Sequence, residues 1–185
     1  MDSQKKITAY REWLGLDKSL FRILIIIILN DNEYKGNLSN LCRLLNLSPR
    51  SKNRNTIKKA INDLTKIKFI NLYKSGNTYT LSIIPKETEI KVKKYIIKHL
   101  FSICGEGVSK EIIIKTYLWY CVNAEIQCTN NEIADELKCS DDTVSSANTF
   151  LQQVNAIVKK DIKKYVDNCF ITLGHTVTIN AWINT

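Results

Sequence analysis

The sequence repeats one local pattern, and this repeat constrains the fold more than any other feature. Residues 129–147 hold two apolar stretches at helical spacing, separated by a short turn from Lys138 to Asp142. The apolar positions are Ile133, Ala134 and Leu137 in the first stretch and Val144, Ala147, Leu151 and Val154 in the second. Thr129 and Glu132 have the spacing of a capping box at the start of the first stretch. The pattern predicts two short helices joined by a tight turn.

The first half of the chain carries a looser copy of this pattern. Its matching positions are Leu41, Cys42 and Leu45, followed by Thr56, Ile57, Ala60 and Leu64. The offset is 92 residues between Leu41 and Ile133 and 87 residues between Ile57 and Val144. We expect the difference to lie in a loop over 47–55, because insertions are tolerated best in surface loops.

Each helix pair is followed by strand-forming residues and preceded by an apolar helix. Residues 69–73 and 79–83 flank Gly76-Asn77, a sequence typical of a hairpin turn. In the second half, 157–165, 169–172 and 176–179 are the strand candidates, with turns expected at Asp167-Asn168 and at Gly174. The preceding helices are predicted from Asp17 to Leu29, apolar on nearly every face, and from Glu111 to Val122, with Ser109 as the cap.

These elements predict an α+β fold, mainly α, made of two similar units. The first unit is expected over residues 1–85 and the second over 109–185. Residues 86–108 are expected to form a linking helix, from Lys86 to Ile103, and a turn.

Each predicted unit resembles the winged helix-turn-helix superfamily of DNA-binding proteins. The resemblance covers most of 15–84 and 109–180 and rests on the helix–turn–helix spacing followed by a hairpin. Similar tandem units occur in plasmid and phage replication initiators and in small DNA-binding proteins of conjugative elements. The resemblance implies that the second helix of each pair enters the major groove with its N-terminal turns leading. This chain departs from the pattern at the acidic start of the second unit's helix, Asp141-Asp142.

Positive charge is concentrated in the first half of the sequence. Residues 1–100 hold 20 Lys and Arg against 8 Asp and Glu, whereas residues 101–185 hold 7 against 10. A basic half indicates a polyanionic partner, and nucleic acid is the leading one because Lys and Arg neutralise its phosphates. A merely solubilising lysine surface is the alternative.

Outward positions on the second helix of each pair give the candidate DNA contacts. Arg and Asn read base edges, whereas Lys more often meets phosphate. In the first unit the candidates are Arg50, Lys52, Arg54, Asn55, Lys58, Lys59 and Asn62, with Lys74 at the wing tip. In the second unit they are Ser145, Ser146 and Thr149, with Asn148 and Gln152 on the same expected face and Lys159 and Lys160 on the following strand.

Catalytic, metal and cofactor sites find little support in the sequence. The six glycines form no phosphate-binding loop, and the histidines, His99 and His175, lie in unrelated contexts. The six cysteines form no C-x-x-C pair and are expected to be reduced thiols of a cytoplasmic protein. No membrane segment is expected, because the longest apolar run, Ile23 to Leu29, has seven residues.

The sequence therefore predicts a non-enzymatic protein without cofactor that binds double-stranded DNA sequence-selectively. Its expected role is transcription control, or replication or transfer of a mobile element, with possible protein partners in such a complex. It is expected to act as a monomeric pseudo-dimer or as a homodimer. The alternative is a winged-helix protein-interaction module of a larger assembly, without direct sequence readout.

Overall fold

The structure, a computed structural model, describes residues 5–103, 108–166 and 169–180. Within these ranges the fold is mixed α+β, as the sequence predicts. The helices are α1 (Lys18–Leu29), α2 (Leu38–Leu44), α3 (Ser51–Lys66), α4 (Lys94–Ser102), α5 (Lys110–Val122), α6 (Asn130–Leu137) and α7 (Asp141–Gln153). The strands are β1 (Lys6–Tyr10), β2 (Glu33–Gly36), β3 (Ile70–Ser75), β4 (Thr78–Ile83), β5 (Glu89–Lys93), β6 (Ile157–Val166) and β7 (Cys169–Ile179), and a 3-10 turn spans Arg11–Trp13.

The chain divides into two compact units. The first unit comprises residues 7–89, and the second comprises 90–185 together with 1–6. No helix in the described ranges has both the length and the apolar character needed to cross a bilayer.

The first unit places three helices against a three-stranded antiparallel sheet of order β2-β4-β3. The expected hairpin joins β3 and β4, with Leu72 opposite Leu81. Strand β2, which the sequence did not predict, pairs with the other edge of β4, with Tyr34 opposite Leu81. The core face of α3 is the predicted one, and its buried residues are Ile57, Ala60, Ile61 and Leu64.

The second unit also has three helices followed by a two-stranded hairpin. Helices α5, α6 and α7 precede the β6–β7 hairpin, and an isolated bridge between Cys128 and His175 lies where β2 pairs with β4 in the first unit. The predicted capping box is present. The Thr129 N–H donates to Glu132 Oε2 at 2.7 Å, and the Glu132 N–H donates to Thr129 Oγ1 at 3.3 Å. Ser109 occupies the N-cap of α5, but its hydroxyl makes no capping bond.

The predicted linking helix is wrong over its first residues. Helix α4 begins at Lys94, and residues 89–93 form strand β5 instead. Ile90 and Val92 are buried while Glu89 and Lys91 are exposed. This alternation has the two-residue period of a strand, which the neighbouring lysines obscured.

The loop expected over 47–55 is also shorter than predicted. Helix α3 begins at Ser51, so Lys52, Arg54 and Asn55 are helical. The side-chain amide of Asn53 donates to the Ser48 carbonyl at 2.8 Å and so ties the first turn of the helix to the preceding loop.

Gly174 does not form the predicted turn. It lies within β7, which runs continuously through residues 169–179, beside a register shift between Ile162 and Lys163. Its φ is 147°, and a Cβ there would lie 2.7 Å from the Cys128 carbonyl oxygen, so both the conformation and the space favour glycine. The other expected turn, Asp167-Asn168, lies outside the described residues.

Candidate nucleic-acid interface

A polar groove of about 430 Å³ opens on the first unit where α2, α3 and the β3–β4 hairpin meet. We call it the basic groove. Its lining residues are Asn37, Leu38, Ser39, Ser51, Arg54, Asn55, Lys58, Asn77 and Tyr79. Among these described residues two are cationic and none is acidic, so the groove suits an anion or a polar, electron-rich surface.

The periodicity of α3 explains why its cations face the groove. The apolar face of the helix is buried in the unit, so the opposite face is exposed. Arg54 and Lys58 lie one turn apart, and Asn55 lies three residues before Lys58. Residues spaced by three and four are neighbours on a helix surface, so these three side chains form one contiguous patch.

The wall of the groove opposite α3 is held by hydrogen bonds at the start of α2. Asn37 caps α2, because its side-chain oxygen accepts from the Asn40 N–H at 2.8 Å. The Tyr34 hydroxyl donates to the Asn37 carbonyl at 2.9 Å and ties this cap to strand β2. The position of Asn37 is therefore fixed by two separate elements.

The hairpin closes the third side of the groove. Gly76 has a φ of 55°, as the turn requires, and the adjacent Asn77 reaches the lining. The Lys74 ammonium lies 5.5 Å from the centre of the Tyr79 ring, a cation–π distance. Because Tyr79 lines the groove, this contact places the Lys74 charge close to it.

The structure assembles only part of the predicted first-unit set in the groove. Arg54, Asn55 and Lys58 line it, and Lys74 lies beside it. The other four candidates are exposed but outside the lining, and these are Arg50, Lys52, Lys59 and Asn62. The sequence reasoning missed Asn37, Ser39 and Asn77. The available signal for Asn37 was its cap position before α2, and the signal for Asn77 was the hairpin dipeptide Gly76-Asn77.

On α7 of the second unit, the expected outward face is only partly right. Ser145, Ser146 and Thr149 are exposed. The expectation for Asn148 is wrong, because its side chain is only 2% exposed. Its oxygen accepts from the Tyr120 hydroxyl at 2.8 Å, and its amide donates to Asn130 Oδ1 at 3.1 Å. Asn148 shares the buried face of α7 and serves the interior of the unit.

The two candidate lysines on β6 differ in their surroundings. Lys159 Nζ lies 3.5 Å from Asp161 Oδ1, and its side chain is 21% exposed. Lys160 is exposed. The Lys159 charge is therefore already compensated by an acidic neighbour, whereas Lys160 faces solvent.

A buried polar cluster lies under the β6–β7 hairpin. The Tyr120 hydroxyl is 3.0 Å from His175 Nε2, and Cys128 Sγ is 3.5 Å from the same nitrogen. Burial, with Lys159 nearby, lowers the pKa of His175 to about 4. Burial also raises the pKa of the Cys128 thiol to about 11. Both groups are neutral at pH 7, so the cluster holds no thiolate nucleophile and works as a hydrogen-bonded connection between α5, α7 and β7.

Neither a metal site in the described ranges nor a match to a known protein points to a function for this chain. In the described ranges, no three His, Cys, Asp or Glu side chains are grouped so that they could hold a metal ion. No family model matches the chain, and no curated protein matches it. The basic groove is therefore the feature from which a function is inferred.

Proposed function

We propose that this chain binds duplex DNA sequence-selectively through the basic groove, with α3 as the recognition helix of a winged-helix unit. The order α1, β2, α2, α3, β3, β4 and the sheet order β2-β4-β3 support this assignment, because a hairpin follows the helix pair and lies beside its second helix.

The observation that carries the proposal is the composition of the exposed face of α3. Arg54, Asn55 and Lys58 converge on the groove, and Lys52 and Lys59 extend the positive charge along the same helix. The opposite face is apolar and buried, so the unit presents this helix to a partner without exposing its core. An α-helix with side chains is about 10–12 Å across, which fits the major groove of about 12 Å.

The residue types suggest separate roles within this face. Arg54 has the fork geometry for guanine O6 and N7, and Asn55 has the paired donor and acceptor for adenine. Lys58 and Lys59 suit phosphate oxygens, as do Arg50 and Lys52 at the start of α3 and Lys74 on the hairpin. Base readout therefore falls to Arg54 and Asn55, and the lysines supply affinity without sequence preference.

The second unit is proposed to be a second winged helix with a weaker share in DNA binding. Its α7 begins with the exposed carboxylates Asp141 and Asp142, which repel phosphates. Ser145, Ser146 and Thr149 still offer neutral hydrogen-bonding groups, and the exposed Lys160 can contact a phosphate of the DNA backbone. A tandem pair of this kind suits transcription control, or replication or transfer of a mobile element.

Selection from a randomised duplex pool tests this function. The full chain is expected to enrich a defined sequence, with retention that falls steeply between two salt concentrations. Arg54→Ala and Asn55→Ala should each relax the preference at one or two positions. Arg43→Ala, an exposed arginine outside the basic groove, is the matched control and should keep the preference. No enrichment together with no salt dependence would overturn the proposal.

A protein-interaction module without direct sequence readout is the second candidate for the whole chain, and the exposed carboxylates at the start of α7, which repel phosphates, favour it. In that case, neutralising Arg50, Arg54, Lys58 and Lys59 together would leave the function of the protein in its host unchanged. Loss of function in this variant, with the fold retained, would exclude the alternative.

A further inference from the structure

Strand β7 has one edge that is only partly occupied. On one side it pairs with β6 along its length. On the other side, Cys128 and His175 exchange backbone hydrogen bonds of 2.9 and 2.8 Å, and the Glu125 N–H donates to the Val177 carbonyl at 3.2 Å. Beyond Gly174 these contacts stop. In the described part of the chain, no backbone group bonds residues 169–173 from this side, and we call this segment the free β7 edge.

The free β7 edge lacks the charges that normally protect an exposed strand. Its sequence is Cys-Phe-Ile-Thr-Leu, and Phe170, Ile171 and Leu173 are 72%, 48% and 46% exposed. Strand β6, by contrast, carries four lysines, at 159, 160, 163 and 164. Lysines on an edge strand discourage pairing with another chain, and their absence invites it. Within the described ranges, the hairpin is therefore protected on its β6 side and open on its β7 side.

The side chains around this edge would add apolar contact to a paired strand. The Tyr165 and Phe170 rings lie 5.0 Å apart on one face of the hairpin. Ile171 points to the opposite face, because successive residues of a strand alternate. A strand placed along the free β7 edge would thus bury apolar surface on both faces in addition to forming backbone hydrogen bonds.

We propose that the free β7 edge pairs antiparallel with the same segment of a second copy of this chain. The product is a four-stranded sheet with the two β7 strands at its centre and the two β6 strands outside. A twofold axis beside Ile171 satisfies both open edges at once, which is the geometry of an isologous dimer. The lysines of β6 remain on the outer strands, and no cation lies within either central segment.

A second copy of the chain fits this edge better than an unrelated peptide, because the edge is complementary to itself. The occupant must be extended, uncharged and itself unpaired, and the chain carries such a segment in every molecule. The pairing region is only five residues long, so the interface falls below the typical 1,600 Å² or so of stable complexes. The dimer is consequently weak, reversible and concentration-dependent.

Sedimentation equilibrium of the full chain without DNA tests the dimer. We expect the average mass to rise from monomer to dimer with concentration. Ile171→Lys places two like charges opposite each other at the axis and should weaken dimerisation roughly tenfold or more. Phe170→Lys should act in the same direction. Val158→Lys is the matched control, because Val158 is 45% exposed but lies on β6, and it should dimerise like the wild type.

Two results would overturn the proposal. One is a monomer at every concentration, which would leave the edge to a different extended partner. The other is a dimer that persists unchanged in both lysine variants while their circular dichroism and melting temperature match the wild type. Binding of Ile171→Lys to a single DNA site separates this proposal from the DNA-binding function, because a monomeric variant should still bind DNA through α3.

Discussion

At the scale of single residues, His175 shows how burial decides chemistry. The sequence offers a histidine without a catalytic neighbour, and the fold places it within hydrogen-bonding distance of Tyr120. No pattern in the sequence indicates this contact, because the two residues are 55 positions apart in the chain and meet only in the folded unit.

The buried His175 predicts a pH dependence of stability. Its pKa is about 4 in the folded chain, whereas an unfolded histidine titrates near 6.5. Between these values the unfolded chain binds more protons, so the free energy of unfolding should fall as the pH is lowered from about 6.5 to 4. The loss attributable to His175 is up to about 3 kcal/mol.

Urea unfolding across this pH range measures the effect. His175→Gln should flatten the pH profile relative to the wild type, whereas His99→Gln, at an exposed histidine, should not. Parallel profiles for the wild type and His175→Gln would contradict the assignment.

Asn148 and Thr149 give a second prediction at this scale. Asn148→Ala removes a partner from the buried Tyr120 hydroxyl and should lower the free energy of unfolding by about 1–3 kcal/mol. Thr149→Ala, the exposed neighbour, should change it by less than about 0.5 kcal/mol. Chemical denaturation of both variants measures the difference, and equal effects would show that the buried hydrogen bonds of Asn148 add no net stability.

At the scale of elements, helices with a cap and an apolar period were predictable from sequence. Helix α6 shows both, and its capping box is present. The strand over 89–93 was missed because alternate lysines gave the segment the appearance of an amphipathic helix. The start of α3 was missed because Arg50 is not one of the usual N-cap residues and its side chain makes no capping bond.

The capping box of α6 makes a quantitative prediction. Thr129→Ala removes the acceptor of the Glu132 N–H and should destabilise the protein by about 1 kcal/mol. Asn131→Ala, an exposed change in the same turn, is the control and should be near neutral. Thermal or urea unfolding measures the stability of both variants. An unchanged free energy of unfolding in Thr129→Ala would show that the cap contributes nothing to stability.

At the scale of the whole molecule, the candidate site was only partly predictable. Arg54, Asn55 and Lys58 follow from the helical period, since the apolar positions of α3 leave them outward. Asn37, Ser39 and Asn77 come from other elements and join the basic groove only through tertiary contacts such as the one between Tyr34 and Asn37. One-dimensional patterns identify a face of a helix, but they do not show which loops complete it.

The charge distribution along the chain belongs to this scale as well. The excess of cations in residues 1–100 agrees with the placement of the basic groove in the first unit. The proposed DNA binding therefore depends on where the cations lie and not on the net charge alone. Removing the same number of charges from the basic groove and from another surface distinguishes an effect of position from an effect of net charge.

The salt dependence of DNA affinity, measured for two triple variants, tests the central claim most directly. In one variant Arg54, Lys58 and Lys59 become Gln, and in the control the exposed Lys66, Lys68 and Lys98 become Gln. The account predicts that the first variant binds DNA more weakly and that its slope of log K against log salt falls by about 1 for each phosphate it no longer neutralises. The control should keep both affinity and slope. Equal weakening in the two variants, or none in either, would contradict the account.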